Sequence, residues 1–209
     1  MERGKAKEIV KILGEHFPDK PALNFKSPYE LLVAVILSAQ CTDERVNKVT
    51  AELFKEYNTP EKMLSLSREE LSAKIFFCGF YKTKAEHILS ASKDIMEKYS
   101  GRVPDTTEEL TTLAGVGRKT ANVVYAVAFK GDAIAVDTHV FRVSNRIGLA
   151  SSGDVYKTEL SLMETIDKKD WSKAHHYLIY LGRSFCKAAK PDCENCPIKN
   201  LCEKKIKVK

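Results

Sequence analysis

The stretch Leu110-Thr-Thr-Leu113-Ala-Gly115-Val116-Gly117-Arg118-Lys119-Thr120-Ala121-Asn122-Val123-Val124 decides how the rest of the chain is read. It predicts a short helix that ends in Gly-Val-Gly and a second helix that begins at once. Glycines permit positive φ and let a backbone come close to another surface. The second helix offers unpaired N–H groups and the positive end of its dipole. Together, Gly115, Val116 and Gly117 form an anion site suited to a phosphate of a nucleic-acid backbone. An αα-hairpin with a glycine cap uses the same residue types, and Gly-x-Gly by itself favours that simpler reading.

Lys119 falls in the first turn of the second helix, where the dipole disfavours a cation. It is either a phosphate-contacting lysine or an amine held in surroundings that favour its neutral, nucleophilic form. A partner follows within Ile134-Ala-Val136-Asp137-Thr138-His139-Val140-Phe141-Arg142-Val143, where an apolar stretch runs into Asp137 and then a helical pattern. Asp137 is a natural N-cap. An acid beside a lysine is also the minimal pair for covalent attack followed by proton transfer, and one residue can fill both roles.

Outward from these segments the dominant period is helical. Ile9, Val10, Ile12 and Leu13 share a stripe that breaks at Phe17-Pro18-Asp19. Ser27-Pro28-Tyr29-Glu30 combines a capping box with Pro at the first helical position and opens an apolar helix through Leu37. Val46, Val49, Leu53 and Phe54 mark another helix, and Ser67-Arg68-Glu69-Glu70 is a second capping box. Further helices are predicted over 84–99, from 106 to 113, and over 118–129, 138–147, 155–166 and 171–185. Ala133-Ile134-Ala135-Val136 is the one strand-like stretch, too short to build a sheet. The predicted class is all-α, with a chain crossing at Gly131-Asp132.

A chain of 209 residues, 44% hydrophobic and 30% charged, suits one or two domains without disulfide staples. The periodic apolar residues exclude disorder. No apolar run reaches the length of a membrane span and Met1–Lys5 lacks a signal-peptide core, so secretion and membrane insertion are excluded and a cytoplasmic protein is expected. The net charge is +6, of which +4 lies in residues 186–209, with seven Lys against three acids. This asymmetry points to a polyanionic partner.

Four of the six Cys, Cys186, Cys193, Cys196 and Cys202, crowd the C-terminus with spacing x6, x2 and x5. Without a signal peptide they read as metal ligands in a reducing compartment rather than as disulfides. Spacing alone allows a tetrahedral zinc or a four-iron cluster. Cys41 and Cys78 stand in helical, apolar contexts and read as packing residues.

Leu113–Val124, Val136–Val143 and Ser27–Asp43, with its Leu37-Ser-Ala-Gln40-Cys-Thr-Asp43, resemble in order and spacing the endonuclease III family of helix-hairpin-helix DNA glycosylases. The resemblance runs from about residue 9 to 202. It implies Lys119 as the catalytic amine, Asp137 as the catalytic carboxylate, and a [4Fe–4S] cluster on the four C-terminal Cys. It implies a six-helix domain over 22–131 with the hairpin at about 107–126, and a second helical domain of 1–21 plus 132–209 carrying the cluster at 186–202. The activity implied is base excision repair: removal of damaged, oxidised pyrimidines from double-stranded DNA, then strand cleavage at the abasic site by β-elimination. A monomer at the nucleoid is expected.

Such an enzyme must extrude a nucleotide and fill the gap it leaves. The turns Ser38-Ala39-Gln40 and Gly79-Phe80-Tyr81 match the positions where the family inserts side chains. Gln40 would bond the orphaned base and Phe80 would wedge between its neighbours, although the family has Leu there and a core aromatic is an equal reading. The loop 187–192, held at both ends by Cys, would present Lys187 and Lys190 to phosphates; Asp192 stands where the family often carries a basic residue. The related adenine-mispair glycosylase lacks the lysine nucleophile. A non-catalytic helix-hairpin-helix module gives no reason for Lys119 with Asp137, and an iron–sulfur electron carrier leaves the glycine turn unexplained.

Overall fold

The computed structural model of the chain describes residues 1–205. Among these there are eleven α-helices, a single 3₁₀ turn at Lys168–Asp170 and no strand. The chain forms two compact units, one of Pro21–Lys130 and one of Met1–Lys20 with the chain from Gly131 onward.

The Pro21–Lys130 unit holds α2 (Pro28–Ser38), α3 (Asp43–Leu53), α4 (Pro60–Met63), α5 (Arg68–Lys74), α6 (Tyr81–Lys98), α7 (Thr107–Leu110) and α8 (Arg118–Ala128). Helix α2 is its axis. Residues 29–37 are all buried, as expected of a helix apolar on every side. Leu32, Leu37, Val46, Met63, Ile88 and Val124 pack into one core with it, and each such aliphatic side chain contributes about 1.5–3 kcal/mol on burial.

The caps follow the sequence closely, with two differences. At Ser67 the capping box is complete: Glu70 N–H donates to Ser67 Oγ (3.2 Å) and Ser67 N–H to Glu70 Oε2 (2.8 Å). At Ser27 only half of the expected box forms. The hydroxyl accepts from Glu30 N–H, but the Glu30 carboxylate takes the N–H of Lys26 instead, at 2.6 Å. The helix expected to reach Leu113 stops at Leu110. Thr111 and Thr112 hydroxyls bond back to the carbonyls of Glu108 and Glu109, both at 2.7 Å, and Leu113 N–H turns to Leu110 in a tighter, 3₁₀-type bond.

Cys41 and Cys78 correct another expectation. Both lie in turns, Cys41 after α2 and Cys78 before α6; Cys78 is fully buried and Cys41 partly so.

The other unit holds α1 (Arg3–His16), α9 (Thr138–Ile147), α10 (Val155–Thr165) and α11 (Trp171–Ser184). Ile9, Leu13, Val140, Val143, Leu178 and Leu181 form its core. Helix α9 begins at Asp137 and ends against Gly148 at φ 91°, a left-handed stop. The strand-like Ala133–Val136 is buried and extended without a ladder. Its Ala135 carbonyl is bonded by His175 Nδ1 at 2.7 Å, so a side chain from α11 does the work a neighbouring strand would do.

Candidate active site

The glycine turn has two glycines with different duties. Gly115 sits at φ 74°, and a Cβ there would lie 2.8 Å from the His87 side chain on α6. Conformation and space both demand glycine. Gly117 has φ −84° and nothing within 4 Å of a built Cβ. The two uses of glycine are divided between them: Gly115 takes the positive φ, and Gly117 leaves open room in front of α8. Between them Val116 is buried in the core, which anchors the turn.

Gly115→Ala should accordingly cost ~1–3 kcal/mol of stability from backbone strain alone, before the clash with His87 is counted. Gly117→Ala should stay within ~0.5 kcal/mol of wild type. Urea denaturation midpoints check both; equal losses at the two positions would contradict this division of labour.

Helix α8 starts at Arg118 with no side-chain cap and no acid in its first turn. Neither a capping side chain nor an acid of its own first turn thus meets its leading N–H groups and positive dipole end. Lys119, the second residue of α8, is exposed.

Asp137 caps α9: its Oδ1 accepts the N–H of Val140 at 2.7 Å. The carboxylate is partly exposed, so it retains accepting capacity beyond the cap. The same helix carries two arginines whose partners the sequence conceals. Arg142 donates to the carbonyls of Gly182 (3.0 Å) and Cys186 (3.2 Å) at the end of α11. Arg146 donates to the carbonyls of Lys187 (2.7 Å) and Ala188 (3.0 Å) and reaches Cys186 Sγ at 3.8 Å. One rigid helix therefore bears the acid at its start and organises the cysteine loop from its end.

Cys186, Cys193, Cys196 and Cys202 line one apolar cavity together with Ile147, Leu181 and Phe185. None is in a disulfide. Burial pushes the Cys196 and Cys202 thiols up. Donors face the sulfurs, with Lys204 N–H 3.3 Å from Cys202 Sγ and Ile198 N–H on Cys196. Among the described residues no three His, Cys, Asp or Glu side chains converge at the spacing of a single metal ion. Lys187 and Lys190 are exposed on the loop, Lys190 at φ 52°. Asp192 is used by the loop itself: its N–H donates to the Phe185 carbonyl at 2.9 Å and its carboxylate accepts from Asn195.

Gln40 and Phe80 each adopt left-handed backbone, at φ 52° and 58°. That is uncommon for any residue with a Cβ and costly for a bulky one. The two turns abut, since a Cβ on Gly79 would stand 3.5 Å from the Gln40 carbonyl oxygen. Gln40 is exposed, and Phe80 is 67% exposed, so the reading of Phe80 as a core aromatic is excluded. Phe76 and Phe77 beside it are exposed as well.

His175 and His176 are buried, and burial together with its neighbour holds His176 at about 3, neutral near pH 7. Both are framework residues. The structure thus gathers Gln40, Phe80, the glycine turn and Lys119 in one unit, and Asp137 with the cysteine loop in the other.

A glycine-hinged helix pair followed by an acid-capped helix defines a helix-hairpin-helix protein, and residues 33–168 match the family model of the HhH-GPD superfamily base excision DNA repair proteins. The chain is 50% identical to endonuclease III of Bacillus subtilis over 192 residues, covering 91% of this chain and 88% of the relative. It is 46% identical to endonuclease III of Escherichia coli K12 over 209 residues, covering 100% and 99%. Among solved structures, a trapped endonuclease III–DNA covalent intermediate superposes with a TM-score of 0.91 at 45% identity, covering 98% of this chain and 97% of that one. A thermostable thymine-DNA glycosylase superposes at 0.85 with 26% identity, covering 96% of each. The chain belongs to the endonuclease III family of the HhH-GPD superfamily.

Proposed function

We propose that this chain is a bifunctional DNA N-glycosylase and abasic-site lyase that removes oxidised pyrimidines from duplex DNA. The observation that carries the reading is the exposed Lys119 placed directly behind the open Gly117 turn, at a helix start without a cap. Backbone N–H groups of Gly115, Gly117 and the first turn of α8 bind a phosphate. That contact registers the duplex without reading its sequence. The expected Val116 N–H donor is instead spent on the Leu113 carbonyl at 3.1 Å, so Val116 only anchors the turn. Gln40 and Phe80 enter the stack, the first bonding the orphaned base and the second separating its neighbours.

Asp137 takes a proton from the Lys119 ammonium and passes it to the departing base, so that it is a carboxylate again and supports the positive charge that develops on the sugar. The Lys119 amine attacks C1′, forming an N–C bond while the C1′–N bond to the base breaks and the base leaves with its electron pair. Ring opening gives a Schiff base. Loss of a proton from C2′ then expels the 3′ phosphate by β-elimination, and water releases the enzyme.

The four cysteines would hold a [4Fe–4S] cluster, with Arg146 and the Ile198 and Lys204 N–H groups supplying hydrogen bonds to the sulfurs. One apolar cavity lined by all four thiols suits a shared metal group, and the likeness of their spacing to the endonuclease III family favours the cluster over a tetrahedral zinc. When bound, the cluster supplies a covalent anchor for the 187–192 loop and the redox chemistry of its irons. Lys187 and Lys190 on that loop meet DNA phosphates. The enzyme works as a monomer on nucleoid DNA in the cytoplasm; among the described residues no helix is long and apolar enough to cross a membrane.

A duplex with a single abasic site tests the activity. Nicking with a β-elimination end is expected; an intact strand after prolonged incubation would leave only a DNA-binding module. For the cluster, purified protein should be brown, with iron and sulfide in equal amounts. Cys193→Ala should bleach it and weaken duplex binding by freeing the lysine loop. A colourless zinc protein with full activity would overturn the assignment.

A further inference from the structure

Lys84 is placed against the electrostatics of its own helix. It lies in the first turn of α6, where the dipole repels a cation, and only 5% of it is exposed. Burial pushes its amine below the usual lysine range. The side chain reaches across to the end of α2, where Nζ donates to the carbonyl oxygens of Leu37 (2.8 Å) and Ala39 (2.6 Å). These are the orphan acceptors of a helix C-terminus, at the dipole end that welcomes a cation.

One of the bonded carbonyls, that of Ala39, immediately precedes Gln40. At the other end, Lys84 N–H donates to the Phe80 carbonyl at 3.0 Å, closing the first turn of α6 on its left-handed N-cap. One residue is therefore tied through its side chain to the Gln40 turn and through its backbone to the Phe80 turn. Those are two of the six non-glycine residues at positive φ in the described chain, and two such turns need an external restraint to persist.

We propose that Lys84 is a positioning residue that clamps the 38–40 turn to the 79–80 turn, so that Gln40 and Phe80 enter the opened duplex as one rigid piece. The proposal rests on the reading of Gln40 and Phe80 given above. Lys84 touches neither DNA nor the reacting atoms; its effect passes through the two turns.

Lys84→Met keeps the apolar stem and removes the donors. With a lesion flanked by 2-aminopurine in duplex DNA, the variant should lose about 10²-fold in flipping and excision rate, the scale of a displacement near 1 Å in a positioning group. The fall should appear in kcat, with affinity for undamaged duplex at the wild-type value. Borohydride trapping on a single-stranded abasic oligonucleotide needs no wedge and should match wild type. Adding Gln40→Ala to Lys84→Met should cost little more, because the unclamped 38–40 turn has already lost the contribution of Gln40.

Equal losses on single-stranded and duplex substrates would reduce Lys84 to a fold stabiliser and overturn the proposal, as would fully additive losses with Gln40→Ala. Gln40→Ala and Phe80→Ala serve as benchmarks. Normal flipping in both would sink the reading of the turns themselves, whereas impaired flipping in both with normal flipping in Lys84→Met would sink the clamp alone. If Lys84→Met melts below the assay temperature, Lys84→Gln, which retains one amide donor group, is read by the same comparisons.

Discussion

Replacing Lys119 with Gln is expected to abolish borohydride trapping of a covalent enzyme–DNA adduct from abasic duplex, while binding to that duplex persists. The two outcomes separate because they draw on different atoms. Binding uses the backbone N–H groups around Gly117 and at the start of α8, which the substitution leaves in place. Covalent attack uses only the amine. A positioned nucleophile contributes an effective concentration on the order of 10⁵ M or more, so solution amines cannot replace it and nicking should fall to background. Lys119 is exposed on the helix surface, and a change from one long polar side chain to another there should hold stability within ~0.5 kcal/mol. Trapping at wild-type yield in Lys119→Gln would refute the amine assignment. Loss of binding together with trapping would return Lys119 to the simpler role of a phosphate contact.

How far the sequence is legible depends on whether a residue's partner is local. Asp137 and Gly148 mark both ends of α9, and the observed Thr138–Ile147 matches the predicted span, because an N-cap and a left-handed C-terminal stop act within a few residues. The Ser67 box is legible for the same reason. The single turn α4 escapes notice because its four residues carry no period, even with Thr59 and Pro60 as cap and first position. The start of α6 at Tyr81 rather than near Lys84 is hidden by Phe80, since nothing in a phenylalanine announces left-handed backbone.

The candidate site divides along the same line. The glycine turn, Lys119, Asp137 and the four cysteines stand out by residue type and spacing. Arg142 and Arg146 do not, because the carbonyls they hold lie about forty residues away and any exposed helix carries arginines. Lys84 is invisible for a related reason: a lysine in a mixed helix is expected in solvent, and only the fold brings the end of α2 within its reach. Ala133–Val136 shows the converse, strand-like in composition but satisfied by a histidine side chain from α11. What the sequence withholds here is the identity of distant acceptors.

Asp137→Asn separates charge from shape at the second catalytic position. Asn caps a helix about as well as Asp, so the acceptor for Val140 N–H, now bonded at 2.7 Å, is retained and α9 should keep its start. Thermal melting should therefore change little. That matters because the same helix holds the cysteine loop through Arg146, and a loosened α9 would confound any kinetic loss. With the frame intact, the missing charge removes both the acceptor for the Lys119 proton and the counterion for the sugar cation. General acid–base help is worth ~10²–10⁴ in rate, and base excision should fall by that amount. Strand cleavage at a preformed abasic site should suffer less, because no base has to leave and an aldehyde accepts an amine without a sugar cation. Single-turnover excision from a damaged-pyrimidine duplex, measured beside nicking of an abasic duplex, reads the two steps separately. Equal excision by Asp137→Asn and wild type would leave Asp137 as a helix cap alone. Equal losses in excision and nicking would confine its role to deprotonating Lys119, the one demand the two steps share.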